Sequence, residues 1–63
     1  MDYQTRITIQ VILGLEERVE RIRREIEDMR ARQESTQSKE SLLKSLERRI
    51  EVLKSTLPIT LRW

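Results

Sequence analysis

Residues 15–57, LEERVERIRREIEDMRARQESTQSKESLLKSLERRIEVLKSTL, carry two series of large apolar side chains that mirror each other. The first series has spacings of 4, 3, 4 and 3 residues and comprises Leu15, Val19, Ile22, Ile26 and Met29. The second series has spacings of 3, 4, 3 and 4 and comprises Leu43, Leu46, Ile50, Leu53 and Leu57. Spacing of this kind places each series along one face of an α-helix.

The mirror relation predicts that the chain folds back on itself. When the first member of one series is paired with the last member of the other, the residue numbers of every pair sum to 72. Two helices that reverse near Thr36 therefore bring the two series together layer by layer. We predict a mainly α fold, an antiparallel helical hairpin of the coiled-coil type, within a single domain over residues 1–63. The ten apolar side chains are its predicted helix–helix interface.

Local signals predict helix 1 over residues 15–33, a turn over 34–38 and helix 2 over 39–56. The turn region is polar and rich in Ser and Thr, whose hydroxyls favour turns and helix caps. Ser38 is the predicted N-cap of helix 2, with Thr36 as the alternative. Pro58 ends helix 2 because it lacks a backbone N–H and restricts the residue before it.

The charges beside the apolar series favour the hairpin over one long helix in a parallel coiled coil. Antiparallel packing gives four attractive pairs: Glu16 with Lys54, Arg23 with Glu47, Arg30 with Glu40, and Glu25 with Arg49. Parallel packing of identical chains instead sets Arg18 against Arg23 and Arg49 against Lys54. Each exposed pair contributes only about 0.2–1 kcal/mol, so these charges select the orientation and do not hold the fold together.

Both ends of the chain show the alternating pattern of short strands. Residues 5–13 are predicted as a strand-like tail in which Ile7, Ile9 and Val11 share a face, and Gly14 is expected to let the backbone change direction. Residues 59–63 alternate again, so an extended C-terminal tail is predicted. A hairpin brings both tails to the same end, where we expect a small β-like cap.

The composition predicts association with a second copy. A chain of 63 residues has little core, and it contains neither Cys nor His, which removes disulfides and the commonest metal ligands. A partner subunit is the remaining source of stability. We expect a homo-oligomer, most simply a dimer that forms a four-helix bundle, or a higher oligomer. Another protein is also a possible partner.

The sequence contains few residues or motifs that indicate a catalytic or ligand-binding site. Acid pairs such as Glu16 with Glu20 are interpreted as solvated helix charges, and no catalytic, cofactor-binding or metal-binding residue is predicted. The net charge of +2 comes from interleaved acids and bases, which does not indicate nucleic acid binding. No membrane segment or signal peptide is predicted, so the default expectation is an intracellular, non-enzymatic structural or oligomerisation module.

One alternative function follows from the order strand, helix, turn, helix. The stretch Arg6-Ile7-Thr8-Ile9-Gln10-Val11 resembles the strand of ribbon-helix-helix repressors, and the stretch 38–43 resembles the capped start of their second helix. The resemblance implies a small dimeric DNA-binding regulator. In that family the paired strands enter the major groove, so the resemblance implies that Arg6, Thr8 and Gln10 contact base edges.

Overall fold

The computed structural model describes residues 2–62, which form two α-helices and one short 3₁₀ helix. Helix α1 runs over Tyr3–Ala31, helix α2 over Gln37–Ser55, and the 3₁₀ helix over Ile59–Leu61. The two α-helices pack against each other along an elongated molecule of 46 × 15 × 14 Å. The predicted hairpin of two packed helices is therefore confirmed, and the alternative of one continuous helix is wrong.

The core is a single apolar cluster between the two helices. Its buried members are Ile12, Leu15, Val19, Ile22, Ile26, Leu46, Ile50 and Leu57. Ile9, Leu43, Leu53 and Leu61 are partly buried and pack against this cluster, and Met29 is half-buried. All ten side chains of the predicted interface are thus buried or half-buried. Ile12, Ile9 and Leu61 extend the cluster toward the open end of the hairpin, beyond the predicted set.

The prediction of a strand over residues 5–13 is wrong, because α1 already begins at Tyr3. Asp2 is its N-cap, and the Asp2 Oδ1 atom accepts a hydrogen bond of 2.7 Å from the backbone N–H of Thr5. Ile12 lies three residues before Leu15 on the same helix face, and its side chain is completely buried. Burial of Ile12 against the core outweighs the strand preference of the β-branched residues. Gly14 lies inside α1 and causes no change of direction.

The turn comprises residues 32–36, two residues earlier than predicted, and it reverses the chain without a glycine. Gln33 adopts a left-handed backbone conformation with φ of 60°. The N–H of Gln33 donates to the carbonyl of Arg30 at 3.0 Å, and that of Glu34 donates to the carbonyl of Met29 at 2.8 Å. These two bonds form a Schellman motif at the end of α1. Thr36 rather than Ser38 is the N-cap of α2, although its side chain makes no capping bond.

The C-terminal segment is not an extended tail over its described length. Pro58 is extended and precedes the 3₁₀ helix, in which Ile59 is 81% exposed whereas Leu61 packs on the core. The Arg62 guanidinium donates to two carbonyl groups near the end of α2, those of Leu57 at 3.0 Å and Ser55 at 2.8 Å. Ile59 and Leu61 therefore belong to a 3₁₀ helix and not to the extended tail that the sequence predicted. Residues 1 and 63 lie outside the described range, and so does the part of the predicted C-terminal tail and β-like cap that falls on Trp63.

Candidate interaction surface

Three interhelical ion pairs follow one side of the hairpin, which we call the laced side. They join Glu16 to Lys54 at 3.4 Å, Arg23 to Glu47 at 3.2 Å, and Arg30 to Glu40 at 2.5 Å. Members on each helix are seven residues apart, close to two full helical turns, so they lie in one line. These are three of the four pairs expected from an antiparallel arrangement. Within α1, Glu20 also lies 3.9 Å from Arg23, so both acids of the Glu16–Glu20 pair have a basic side chain within 4 Å.

The fourth predicted pair, Glu25 with Arg49, is not formed. Glu25 contacts the ammonium group of Lys39 instead, while Arg49 is exposed. Lys39 lies four residues before Leu43 and therefore continues the apolar series of α2 toward the turn. The side chain of Lys39 is half-buried at the helix interface, with its charge reaching the surface at Glu25. Extending the series backward by one step would have identified this pair from the sequence.

The surface of α1 divides into two parts with different chemistry. Between residues 17 and 30, every exposed residue of the helix is charged. Between residues 3 and 15, Arg6 is the only charged residue. In that second part the large apolar side chains of Tyr3, Ile7, Val11 and Leu13 are exposed, with Tyr3 at 75%. The exposed apolar surface of α1 is therefore concentrated at the open end of the hairpin.

The exposed apolar residues Tyr3, Ile7 and Val11 line a shallow groove on α1 together with Arg6 and Gln10. The strand prediction missed this surface, because alternation assigns Ile7, Ile9 and Val11 to one face whereas the helix separates Ile9 from the other two. Ile9 packs on the core, and Ile7 and Val11 remain exposed. A helical period counted from Tyr3 in steps of four would have found the surface.

The three residues implied to read DNA lie on α1 and not on a strand. Arg6 and Gln10 are exposed, whereas Thr8 is half-buried and its hydroxyl donates to the carbonyl of Gln4 at 2.9 Å. No strand occurs within residues 2–62, so this part of the chain has no two-stranded ribbon that could enter a major groove. Arg6 and Gln10 lie one helical turn apart beside the same groove, whereas Thr8 lies on a different face of α1.

The described residues were inspected for metal ligands and for titratable groups with a shifted pKa. Between residues 2 and 62 there is no group of three or more acidic, His or Cys side chains that could hold a metal ion. Hydrogen bonds from the backbone N–H and hydroxyl of Thr5 lower the pKa of the Asp2 carboxyl. That shift belongs to helix capping, because Asp2 is fully solvent-exposed at the start of α1.

Neither α-helix in this part of the chain has an apolar stretch of the length needed to cross a bilayer.

The chain was compared with models of protein families, with curated proteins and with solved structures. None of these three comparisons produced a match.

Proposed function

We propose that this chain is a non-enzymatic structural module that mediates protein–protein association through its helices, with a second copy of itself as the partner. The observation that carries the proposal is the unpartnered apolar surface of α1 at the open end of the hairpin, where Tyr3, Ile7, Val11 and Leu13 are exposed. Contiguous exposed apolar surface on a small protein typically marks an interaction site.

The small core supports the same proposal. Eight side chains are buried in the described part of the chain, and only Ile12 is completely buried. A two-helix hairpin of this size is expected to be only marginally stable alone, since chains below about 70–80 residues rarely gain enough from one core. Association would add burial to both copies and raise their stability by mass action.

The charge distribution limits how two copies can meet. A four-helix bundle that encloses the full length of α1 would have to remove its many exposed charges between residues 17 and 30 from water, which is unfavourable unless each is paired. Residues 3–15, among which Arg6 is the only charged residue, have little of this penalty. We therefore favour a dimer that associates through the open end over a bundle that is packed along its whole length.

The test of the proposed function is the mass in solution over a wide concentration range, measured by sedimentation equilibrium. We expect a concentration-dependent monomer–dimer equilibrium. The chain contains no Cys, so one labelled Cys can be introduced on each helix to measure the distance between α1 and α2. A strictly monomeric, well-folded hairpin at every concentration would contradict the proposal.

The DNA-binding alternative is not proposed further. It depends on a strand at residues 5–13, and this segment is helical. A fluorescence titration with duplex DNA at low salt provides the check, because even non-specific DNA binding is strongest under that condition. We expect no sequence-dependent binding.

A further inference from the structure

We propose that the hairpin exchanges its second helix with another copy of the chain. In the exchanged dimer the turn opens, residues 32–36 join α1 and α2 into one helix, and α2 of each copy packs on α1 of the other. The inference goes beyond the proposed function, because it depends on the turn and on the α1–α2 interface and not on the exposed apolar surface at the open end. The contact surface is the one that already holds the monomer together.

The closed turn is poorly matched to its residues. Gln33 occupies the left-handed position of the Schellman motif with φ of 60°, where glycine is usual because a Cβ atom is unfavourable in that conformation. At the other end of the turn, Thr36 is the N-cap of α2, but its side chain makes no capping hydrogen bond. The turn thus lacks the two local features that commonly stabilise helix ends.

The same residues suit a continuous helix. Residues 32–36 read Arg-Gln-Glu-Ser-Thr, contain neither Gly nor Pro, and include three good helix formers. Winding them into a helix moves Gln33 out of positive φ and gives the first backbone N–H groups of α2 acceptors within the same helix. Local energetics therefore favour opening, whereas the loss of the α1–α2 contact opposes it.

A second copy can supply the contact that opening removes. The two helices of the hairpin are antiparallel, and their apolar layers are symmetric about Thr36. Two opened chains laid antiparallel about Thr36 therefore place α1 of one copy against α2 of the other in the same register. The three ion pairs of the laced side, including Arg23 with Glu47, form again between chains. Exchange needs no new complementary surface, and this behaviour is the basis of domain swapping.

The continuous helix presents both apolar series to the second copy. Met29, the last member of the first series, and Leu43, the first member of the second, are 14 residues apart, which is two heptads. The spacing pattern changes phase by three residues between them, and coiled coils accommodate such a change by local overwinding. The opened chain is thus compatible with an antiparallel pair of long helices.

A distance within one chain separates the closed form from the exchanged form. Arg21 and Glu51 are exposed and lie at the same level of the hairpin. Spin labels on Arg21→Cys and Glu51→Cys of the same chain, diluted into an excess of unlabelled chain, should lie about 20 Å apart in the hairpin. In the opened chain, at about 1.5 Å per residue, they should lie about 45 Å apart. We expect the longer distance to appear with rising concentration, in parallel with the dimer measured by sedimentation.

Variants of the turn should shift the exchange in opposite directions. Gln33→Gly suits the positive φ of the closed turn and is unfavourable inside the opened helix, so it should raise the dissociation constant of the exchanged dimer by about tenfold or more. Ser35→Ala combined with Thr36→Ala should lower this constant by about tenfold, because Ala has the highest helix propensity. Ser41→Gly is the matched control. Position 41 is exposed and lies inside α2 in both forms, so the constant should not change.

The outcomes distinguish the inference from the proposed function. A dimer in which the two labels keep the short distance, and whose dissociation constant does not respond to Gln33→Gly, would overturn the exchange and leave association through the open end standing. A dimer with the long distance that is unaffected by Val11→Gln would support the exchange and contradict association through the open end. A chain that stays monomeric at every concentration, even with both alanine substitutions in the turn, would overturn both.

Discussion

The ammonium group of Lys39 contacts the carboxylate of Glu25, which ties the first turn of α2 to the C-terminal part of α1. The contact crosses the hairpin close to its turn, on the side opposite the laced side. Arg49, ten residues further along α2, is exposed and takes no part in it. The pairing shows that a lysine at a core-facing position can provide a surface charge while its stem fills the interface.

The Glu25 contact predicts a specific pattern of coupling in double-mutant cycles. Glu25→Gln with Lys39→Met should give a coupling free energy of about 0.2–1 kcal/mol in urea unfolding, as for other exposed ion pairs. The cycle of Glu25→Gln with Arg49→Met should give a coupling near zero. Equal coupling in both cycles would mean that Glu25 exchanges between the two partners.

The burial of Ile12 predicts a large loss of stability on truncation. Ile12→Ala should lower the free energy of unfolding by about 2–5 kcal/mol, because it removes completely buried methyl groups and leaves a cavity. Leu13→Ala is the neighbouring control and should have a much smaller effect, since Leu13 is exposed. Thermal and urea unfolding of both variants measures the difference. A strand at residues 5–13 would instead place Leu13 on the face of Ile7, Ile9 and Val11, with Ile12 on the opposite face, so the larger loss would be expected for Leu13→Ala.

The left-handed conformation of Gln33 predicts a stabilising glycine. Gln33→Gly should raise the free energy of unfolding by about 1 kcal/mol, because glycine adopts positive φ without the steric conflict of a Cβ atom. Gln37→Gly makes the same chemical change at the start of α2, where φ is not positive, and should not stabilise the chain. Unfolding midpoints of the two variants should move in opposite directions or differ clearly. A loss of stability in Gln33→Gly would contradict the turn geometry.

The cap at Asp2 predicts a pH-dependent start to α1. Hydrogen bonds from Thr5 lower the pKa of Asp2, so the carboxylate stabilises the helix end above its unfolded pKa of about 3.9, and this stabilisation is lost as the pH falls through the lower folded pKa. The protection factor of the Thr5 amide, which is the exchange rate of an unprotected amide at the same pH divided by the observed rate, should therefore fall in acid. Asp2→Asn retains a capping side chain and should remove this pH dependence, whereas Asp2→Ala should give a low protection factor at every pH. A protection factor that does not change in acid would contradict the role of Asp2.

Several parts of the fold follow directly from the sequence. The two mirrored series are long, regular and free of Pro and Gly, so periodicity and burial agree on the helices that carry Leu15 to Met29 and Leu43 to Leu57. The ion pairs beside the core can also be predicted from the sequence. A pair such as Arg23 with Glu47 depends only on the orientation and register of the hairpin. Such features need no information beyond the spacing of side chains.

The N-terminal segment was harder to predict because the order of its apolar residues fits both the period of a strand and the period of a helix. Ile7, Ile9 and Val11 alternate as in a strand, while Thr8, Ile12 and Leu15 continue the helical series. The choice depends on whether a core exists for Ile12 to enter, which is a tertiary property. The turn illustrates the same limit, because Gln33 has no strong preference for positive φ, and only the packing of both helices requires it there.

The three ion pairs of the laced side have a consequence for how the hairpin moves. Among residues 2–62, the opposite edge has one interhelical ion pair, near the turn, and none toward the end that contains Val11. Thermal opening should therefore begin with separation of α1 from α2 at the open end, on the edge that has no ion pair there. The ion pairs of the laced side should hold the two helices together during this opening. A helix of a binding partner would insert between α1 and α2 at this same end, next to exposed apolar side chains.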